Sequence, residues 1–486
     1  MRRHCSALRV AGPVVLLALS GVFAPKVGAQ LTLADALRQG DQSAYGNRVA
    51  RGTARAQAGL AIAPLQAILP DVRLEAGYAR TADPIGVFGD RLRQGTITQA
   101  DFDPTRLNHP GAISNYQSAV VLEQPLFNAD SWAARAAANH GANASRAAAT
   151  WTALSTRVEI VRGYYGAVLA GERAAALTAA SRSAHAHVTQ TQAMVRQGLV
   201  TRSDALLAEV RAGDMDAQLA QAKGDIAIAQ RQLAVFMGRA RPDIVGDLTL
   251  PDALPSADRI RAIAAQDTGT SPDARADVEG AVEASAAARS DALRARAGYL
   301  PRVNSFVRYD WNTPNAVYSG ERNWTVGVMA SWRPFGNAAQ LSDVRAASGR
   351  AAAAQAKAEG AEAQATLNVA ETRISLSVAL ARLDIAQRSV EQSAEAHRIV
   401  ARKYAGGLAS IVELLDAQAT EVQSSLGFAV ARYNVIVAVA ESERATGRDP
   451  GMLAALDDGN GNSVSATPSV RSAALIAAGS ASPRPQ

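Results

Sequence analysis

Arg196-Gln-Gly-Leu-Val-Thr-Arg-Ser-Asp204 occurs twice in this chain, the second time as Ala405-Gly-Gly-Leu-Ala-Ser-Ile-Val-Glu413. Gly198 and Gly407 lie 209 residues apart (407 − 198). The same offset carries Thr201 to Ser410, Asp204 to Glu413, Gly238-Arg239 to Gly447-Arg448, Pro125 to Pro334 and Asn128 to Asn337. An offset held constant from Pro125 to Arg239 is the mark of a duplicated structural unit. Each copy of the stretch reads as a tight turn between two long helical patterns. Gly198 or Gly407 can adopt the left-handed conformation that ends a helix without steric cost. Thr201 with Asp204, and Ser410 with Glu413, then have capping-box spacing for the helix that follows. Two very long helical hairpins are expected.

Composition narrows the setting. Residues 1–29 read as a signal peptide: Arg2, Arg3 and Arg9 form a basic head, Val10 to Val22 a short apolar run, and Val27-Gly28-Ala29 a small-residue cleavage site. The run is too short for a membrane anchor. Removing it takes away Arg2, Arg3, Arg9 and Lys26, and the formal charge falls from +6 to +2 (6 − 4). The basic balance therefore belongs to targeting, and nucleic-acid binding is not expected. Cys5, the single cysteine, leaves as well, so the mature chain has no disulfide and no thiolate metal site. Cys5 also precedes the apolar run, whereas a lipid-bearing cysteine would follow it, so no lipid anchor is expected.

The mature chain divides into a first repeat (30–238), a Pro- and Asp-rich connector (239–272), a second repeat (273–448) and a Gly-, Ser- and Pro-rich tail (449–486) expected to be disordered. Leu31 to Ile68 has helical spacing, with Thr32 as a possible N-cap, and ends at Pro70. Asp71 to Arg80 alternates, with Val72, Leu74, Ala76 and Tyr78 on one face and Asp71, Arg73 and Glu75 on the other. Arg80 to Asn115 has no periodicity and reads as a long exposed loop. Alternation resumes with Tyr116, Ser118, Val120 and Leu122 against Gln117, Ala119, Val121 and Glu123. Ala129 to Gln197 is helical throughout, about 100 Å as one helix, longer than a globular core of this size needs. Trp151, Leu154, Val158, Val161, Tyr165 and Val168 step through it by three and four, a coiled-coil seam. The return helix ends at Gly238, about half as long, so another helix must cover the remainder, and Leu31–Ile68 has the right length to stack on it. A short helical piece is expected around Ala257–Ala265. In the second repeat a helix from Asp273 reaches Gly298, and Leu300-Pro301 echoes Leu69-Pro70 at an offset of 231, so the second long loop is 22 residues shorter (231 − 209). Val303, Ser305, Val307, Tyr309 and Trp311 alternate with Arg302, Asn304, Arg308 and Asp310. Trp324, Val326, Val328, Ala330 and Trp332 alternate with Asn323, Thr325, Gly327, Met329 and Ser331.

Trp324 and Trp332 stand about 26 Å apart along a strand. That separation suits the apolar band and aromatic girdles of an outer-membrane barrel. An ordinary sheet on a soluble core alternates in the same way. Four strands cannot close a barrel, and open edges are not tolerated in lipid, so either the sheet is soluble or several chains share one barrel. Exported helices too long for a compact core favour sharing.

On these residues the chain resembles the TolC-like outer membrane efflux protein family from about Leu31 to Gly447. The resemblance rests on the duplicated strand–strand–long-helix–turn–helix unit, the Leu-Pro entries, Gln-Pro-Leu-Phe-Asn128, Arg-Pro-Phe-Gly-Asn337 and the two Gly-Leu tips. It implies a mainly α fold with a membrane β-barrel: a homotrimer giving four strands per chain to one twelve-stranded barrel, continued by a long α-helical coiled-coil tunnel through the periplasm. Such a protein sits in the outer membrane of a Gram-negative bacterium, in outer membrane lipid, with most of the chain in the periplasm. It is the exit duct of a tripartite efflux pump or type I secretion system, joined by a periplasmic adaptor to an inner-membrane transporter.

The resemblance also assigns residues. Gly198, Leu199, Gly407, Leu408 and Ser410 would meet the adaptor. Glu413 and Asp416 match the acidic positions that narrow the inner mouth, and three copies would make two anionic rings. Glu413 is equally explained by its capping box; Asp416 lies beyond that box. Tyr404 matches a tyrosine that holds the mouth shut. The family's best-known member has an arginine where this chain has Ala409, so closure would draw on Arg202 and Asp204 of the first tip. Tyr78, Tyr116, Tyr309, Trp311, Trp324 and Trp332 would form the aromatic girdle.

Other chemistry is thin. His185 and His187 point to different helix faces, and His109, His140 and His397 are isolated. No cofactor and no metal centre are expected, and no phosphate loop, nucleophile motif or carboxylate pair suggests an enzyme. The competing reading is an exported structural or adhesive coiled-coil protein without an open lumen. A duct requires Asp71, Arg73, Glu75, Asn304, Arg308 and Asp310 to face water. The cargo is not written in the chain, because the transporter selects it.

Overall fold

A computed structural model describes residues 30–239, 248–266, 272, 275–335 and 338–457. The expected signal peptide, Asp273, Asn337 and residues 458–486 lie outside the described residues. Two helices dominate: α5 (Ala129–Arg196) and α9 (Ala338–Ala405), each 68 residues long. Each turns back into a helix of 35 residues, α6 (Arg202–Phe236) and α10 (Ile411–Ala445). Both pairs of first residues differ by 209 (338 − 129 and 411 − 202). The others are α1 (Leu33–Ser43), α2 (Tyr45–Leu60), α3 (Pro84–Arg93), α4 (Pro104–Asn108), α7 (Ala257–Ala264) and α8 (Ala276–Ala297).

The short return helices are completed end to end. Gly238 ends α6 at φ +77°, and a Cβ there would fall 2.1 Å from the Ser43 carbonyl oxygen, so α6 abuts the junction of α1 and α2. That junction, at Ala44 (ψ 133°), splits the helix expected over Leu31–Ile68. The break lets α1 turn into the core while α2 runs on along α5. In the second repeat the start of α8 meets the end of α10. Buried Arg275 donates to the Ala445 carbonyl (3.4 Å) and lies 4.6 Å over the Trp151 ring.

The main core lies at mid-height. Val158, Ile160, Val161, Tyr164, Tyr165 and Val168 of α5 meet α1, α7, the end of α6, the middle of α9 and the second half of α10. Residues 450–456 form a 3₁₀ turn in this core, with Leu453 and Leu456 buried, which corrects the expectation of a tail disordered from 449. Asp457 ties it down, accepting from the Leu33 amide (2.7 Å) and the Tyr165 hydroxyl (3.2 Å). Burial, then the Asp457 charge, pushes the Tyr165 phenol well above its ordinary range. A charged pair is built into the interior here: Arg432 of α10 with Glu172 of α5, Arg432 also donating to the Leu254 carbonyl (3.1 Å). Helix α10 is long and apolar enough to cross a membrane; a third of that apolar stretch is buried within the chain, where α10 packs on α9 and α5, and the helix carries this buried pair.

Four strands make one antiparallel sheet in the order β1 (Asp71–Thr81), β2 (Ile113–Phe127), β3 (Arg302–Thr313), β4 (Glu321–Ser331). Val72, Leu122, Val307 and Val326 stand in one cross-strand row, so the apolar faces coincide across all four strands. A register shift between Pro125 and Phe127 ends the β2–β3 pairing. Asn128 stands at the N-cap of α5, but its amide donates to Asn304 (3.2 Å) instead of capping the helix. The segment expected to be a bare loop between β1 and β2 is folded, holding α3, a 3₁₀ turn (Gln99–Phe102) and α4.

Candidate functional site

The two helix turns sit at the end of the molecule remote from the sheet. At the first, the Gly198 amide donates to Val195 (2.9 Å) and the Leu199 amide to Met194 (2.9 Å), the paired bonds that close a helix on a left-handed residue. The second turn repeats this with Gly407 to Tyr404 (3.0 Å) and Leu408 to Lys403 (2.8 Å). Gly198 and Gly407 have φ of +74° and +71°. Both capping boxes form: Asp204 accepts from the Thr201 amide (3.0 Å) and Glu413 from the Ser410 amide (3.0 Å). Leu199 and Leu408 project into solvent, 66% and 82% exposed, large apolar side chains with nothing over them in the chain. Asp416, one turn past the box, is exposed, and neither it nor exposed Arg202 has an ion-pair partner among the described residues. The chain by itself does not bring Arg202 to Glu413 or Asp416.

Tyr404 faces inward. It is 3% exposed within a small core of Ile411, Leu414 and Leu415, and its hydroxyl bonds the Thr191 hydroxyl of α5 (3.2 Å). It thereby fastens the second hairpin to the first just above the turns. One helical turn up the same seam, the rings of His187 (α5) and His397 (α9) meet edge to face at 6.3 Å. The Nδ1 of His397 bonds Glu421 of α10, while the Nε2 atoms of both histidines are buried without a partner. Burial, then the His397 charge, lowers the His187 pKa. Spacing alone left His397 isolated; only the fold brings it to His187. Among the described residues no group of three or more His, Cys, Asp or Glu is placed to hold a metal ion.

At the other end, the apolar face of the sheet is open. Val72, Leu74, Tyr78, Leu122, Val307, Trp324, Val326 and Val328 are all exposed. On the opposite face Arg308 bridges to Glu75 (3.0 Å) and Arg73 to Glu123 (3.0 Å). These long side chains lie over Ala119 and Val121 of the intervening strand and bury them. Tyr78 with Tyr116 and Tyr309 with Trp311 form ring contacts at 4.9 Å near one end of the sheet. Tyr309 is paired with Trp324 in the register of that same end. Trp332 lies at the other end, its indole N–H donating to the Tyr299 carbonyl (3.0 Å). Exposed Trp132, Phe335 and Phe127 share that second end. The sequence reading missed them because they fall outside the alternating runs.

A family model described as outer membrane efflux protein matches residues 46–239 and 273–448, both long hairpins and all four strands. No curated protein sequence matches the chain. Its fold is similar to solved outer-membrane channels. These include CmeC of Campylobacter jejuni (TM-score 0.71, 16% identity, covering 85% of each chain). The VceC outer membrane protein of Vibrio cholerae is similar too (TM-score 0.71, 17% identity, 86% of this chain and 96% of that one). So is the OprN outer-membrane channel (TM-score 0.71, 19% identity, 86% and 90%). With the matched segments spanning both hairpins and the whole sheet, the chain belongs to the outer membrane efflux protein family.

Proposed function

We propose that three copies of this chain close a twelve-stranded barrel in the outer membrane and continue it as a helical tunnel, a passive exit duct for efflux or type I secretion. The observation that carries this is the sheet. One face leaves eight large apolar side chains in the open, the other is lined by Arg73, Glu75, Arg308 and Asp310, and β1 and β4 are unpaired edges. In water the first face would aggregate; in lipid the edges must pair with other copies. The trimer satisfies both, and a structural coiled-coil protein would need neither.

The helix turns then form the periplasmic mouth. Exposed Leu199 and Leu408 suit an apolar contact with a periplasmic adaptor, which links the duct to an inner-membrane transporter. Gly198, Gly407 and Ser410 shape those tips. Asp416, free of the capping box, offers the ring of charge that restricts passage, with Glu413 beside it and Arg202 and Asp204 on the neighbouring tip. Tyr404 contributes by holding the hairpins together, not by facing the pore.

Single-channel conductance in a planar bilayer tests this. Wild type is expected to conduct weakly and Asp416→Ala several-fold more. An unchanged conductance removes Asp416 from the gate, and none from inserted trimers of either protein overturns the duct.

A further inference from the structure

The two connections at the outer end of the sheet fold onto opposite faces. Between β3 and β4, Tyr318 turns onto the apolar face: its amide donates to Ser118 (2.9 Å) and its ring meets Trp311 at 5.7 Å. The longer connection between β1 and β2 lies on the polar face. Its α3 ends there in a network of buried amides. Gln94 donates to Asn115 of β2 (3.0 Å), and Asn115 donates to Asp90 of α3 (3.2 Å) and to Asn312 of β3 (3.0 Å). Asn312 in turn donates to Asp310 (2.9 Å). Asn115, Asn312 and Asp310 have the same strand parity as Glu75 and Arg308, which fixes the face. Next to Gln94, Gly95 (φ +65°) passes so close to Glu321 at the head of β4 that a Cβ would stand 3.0 Å from its Cγ. The segment thus reaches across β2, β3 and β4 on one side.

It is a folded unit with its own ties. Asp101 accepts from the Thr98 amide (2.8 Å) and pairs with Arg91 (2.6 Å), and Phe88 meets Phe102 edge to face at 5.7 Å. Ile85 and Phe102 remain exposed on it.

We propose that residues 84–111 are a cap folded over the lumen, and that three copies narrow the outer mouth of the duct as a constriction separate from the periplasmic one. This rests on the barrel reading, because only there does the polar face become a lumen. The latch to the strands is made of neutral amides and one carboxylate at a water-filled mouth. Water replaces such bonds at small net cost, so the cap can swing aside without unfolding the barrel.

Labelling in intact cells tests it without reference to the periplasmic mouth. Thr325→Cys places a thiol on the polar face of β4, and the mature chain has no other cysteine. A bulky PEG-maleimide added outside is expected to label it slowly and a small maleimide fast. Asn115→Ala, which removes two latch hydrogen bonds, raises the bulky rate about tenfold; replacing 84–111 by a short Gly-Ser turn raises it further and leaves the small-reagent rate unchanged. Bulky labelling equally fast with and without the cap, in protein that migrates as trimer, overturns the cap. Val326→Cys separates the two failures: on the lipid face it stays unlabelled, and if it reacts as readily as Thr325→Cys the barrel reading falls instead.

Discussion

Two glycines with the same backbone carry different constraints. Gly198, at φ +74°, has open space where a Cβ would go, whereas Gly238, at +77°, would drive its Cβ to 2.1 Å from Ser43. Gly198→Ala should cost about 1–2 kcal/mol, the left-handed penalty alone. Gly238→Ala adds a backbone clash and should cost well over ~3 kcal/mol. The thermal unfolding midpoint of each variant, followed by circular dichroism, separates them. At His187 the consequence runs through pH. Its folded pKa lies below the ordinary 6.5, first through burial and then through His397. The unfolded chain therefore binds the proton first, so the stability this seam contributes is complete above about pH 6.5 and lost as pH falls through the lowered value. Amide protection factors at the last turns of α5 and α9, which correct for the base-catalysed intrinsic rate, should fall on acidification in wild type and much less in His187→Gln. Equal acid sensitivity in both would remove His187 as the titrating group.

Elements set by neighbours in the chain were legible, and those set by contacts were not. The long hairpins follow from three-four spacing, a left-handed glycine and a capping box, all within a few residues of one another. Thr201→Ala and Ser410→Ala should each cost about 1 kcal/mol, read as faster exchange in the first turn of α6 or α10. By contrast, α3 opens on a local signal, Asp83 capping the Gly86 amide (2.7 Å) before Pro84, but it is only ten residues long, and its place over the sheet is set by Gln94 on Asn115 of another element. Ala44 breaks the first helix for the sake of Gly238, nearly two hundred residues away (238 − 44 = 194). Tyr404 is assigned to the mouth by the resemblance alone; that it is buried against Thr191 of the other hairpin is set by a contact between elements. Asp204 and Glu413 were read correctly as caps because that chemistry is local.

In the molecule as a whole, the segment after the second repeat is a keystone of the mid-height core. Leu453→Ala, at a fully buried site, should cost about 2–5 kcal/mol and lower the thermal unfolding midpoint, which a surface change such as Arg55→Ala should not. That core grips α5 at 158–168, and the midpoint of its 68 residues falls between 162 and 163 ((129 + 196)/2). Each half of the helix is therefore an arm of about 50 Å on a central bearing. Helix α5 is also packed along its length, on α6 below this core and on α8 and α2 above it, so as a rigid body it cannot swing one end alone. In the proposed trimer, tips that spread by rotation about this fulcrum would swing the upper arms by an equal and opposite amount against the paired strands of the shared barrel. In that assembly either the lower arms flex below the bearing, or movement at the helix turns is felt as torque at the sheet.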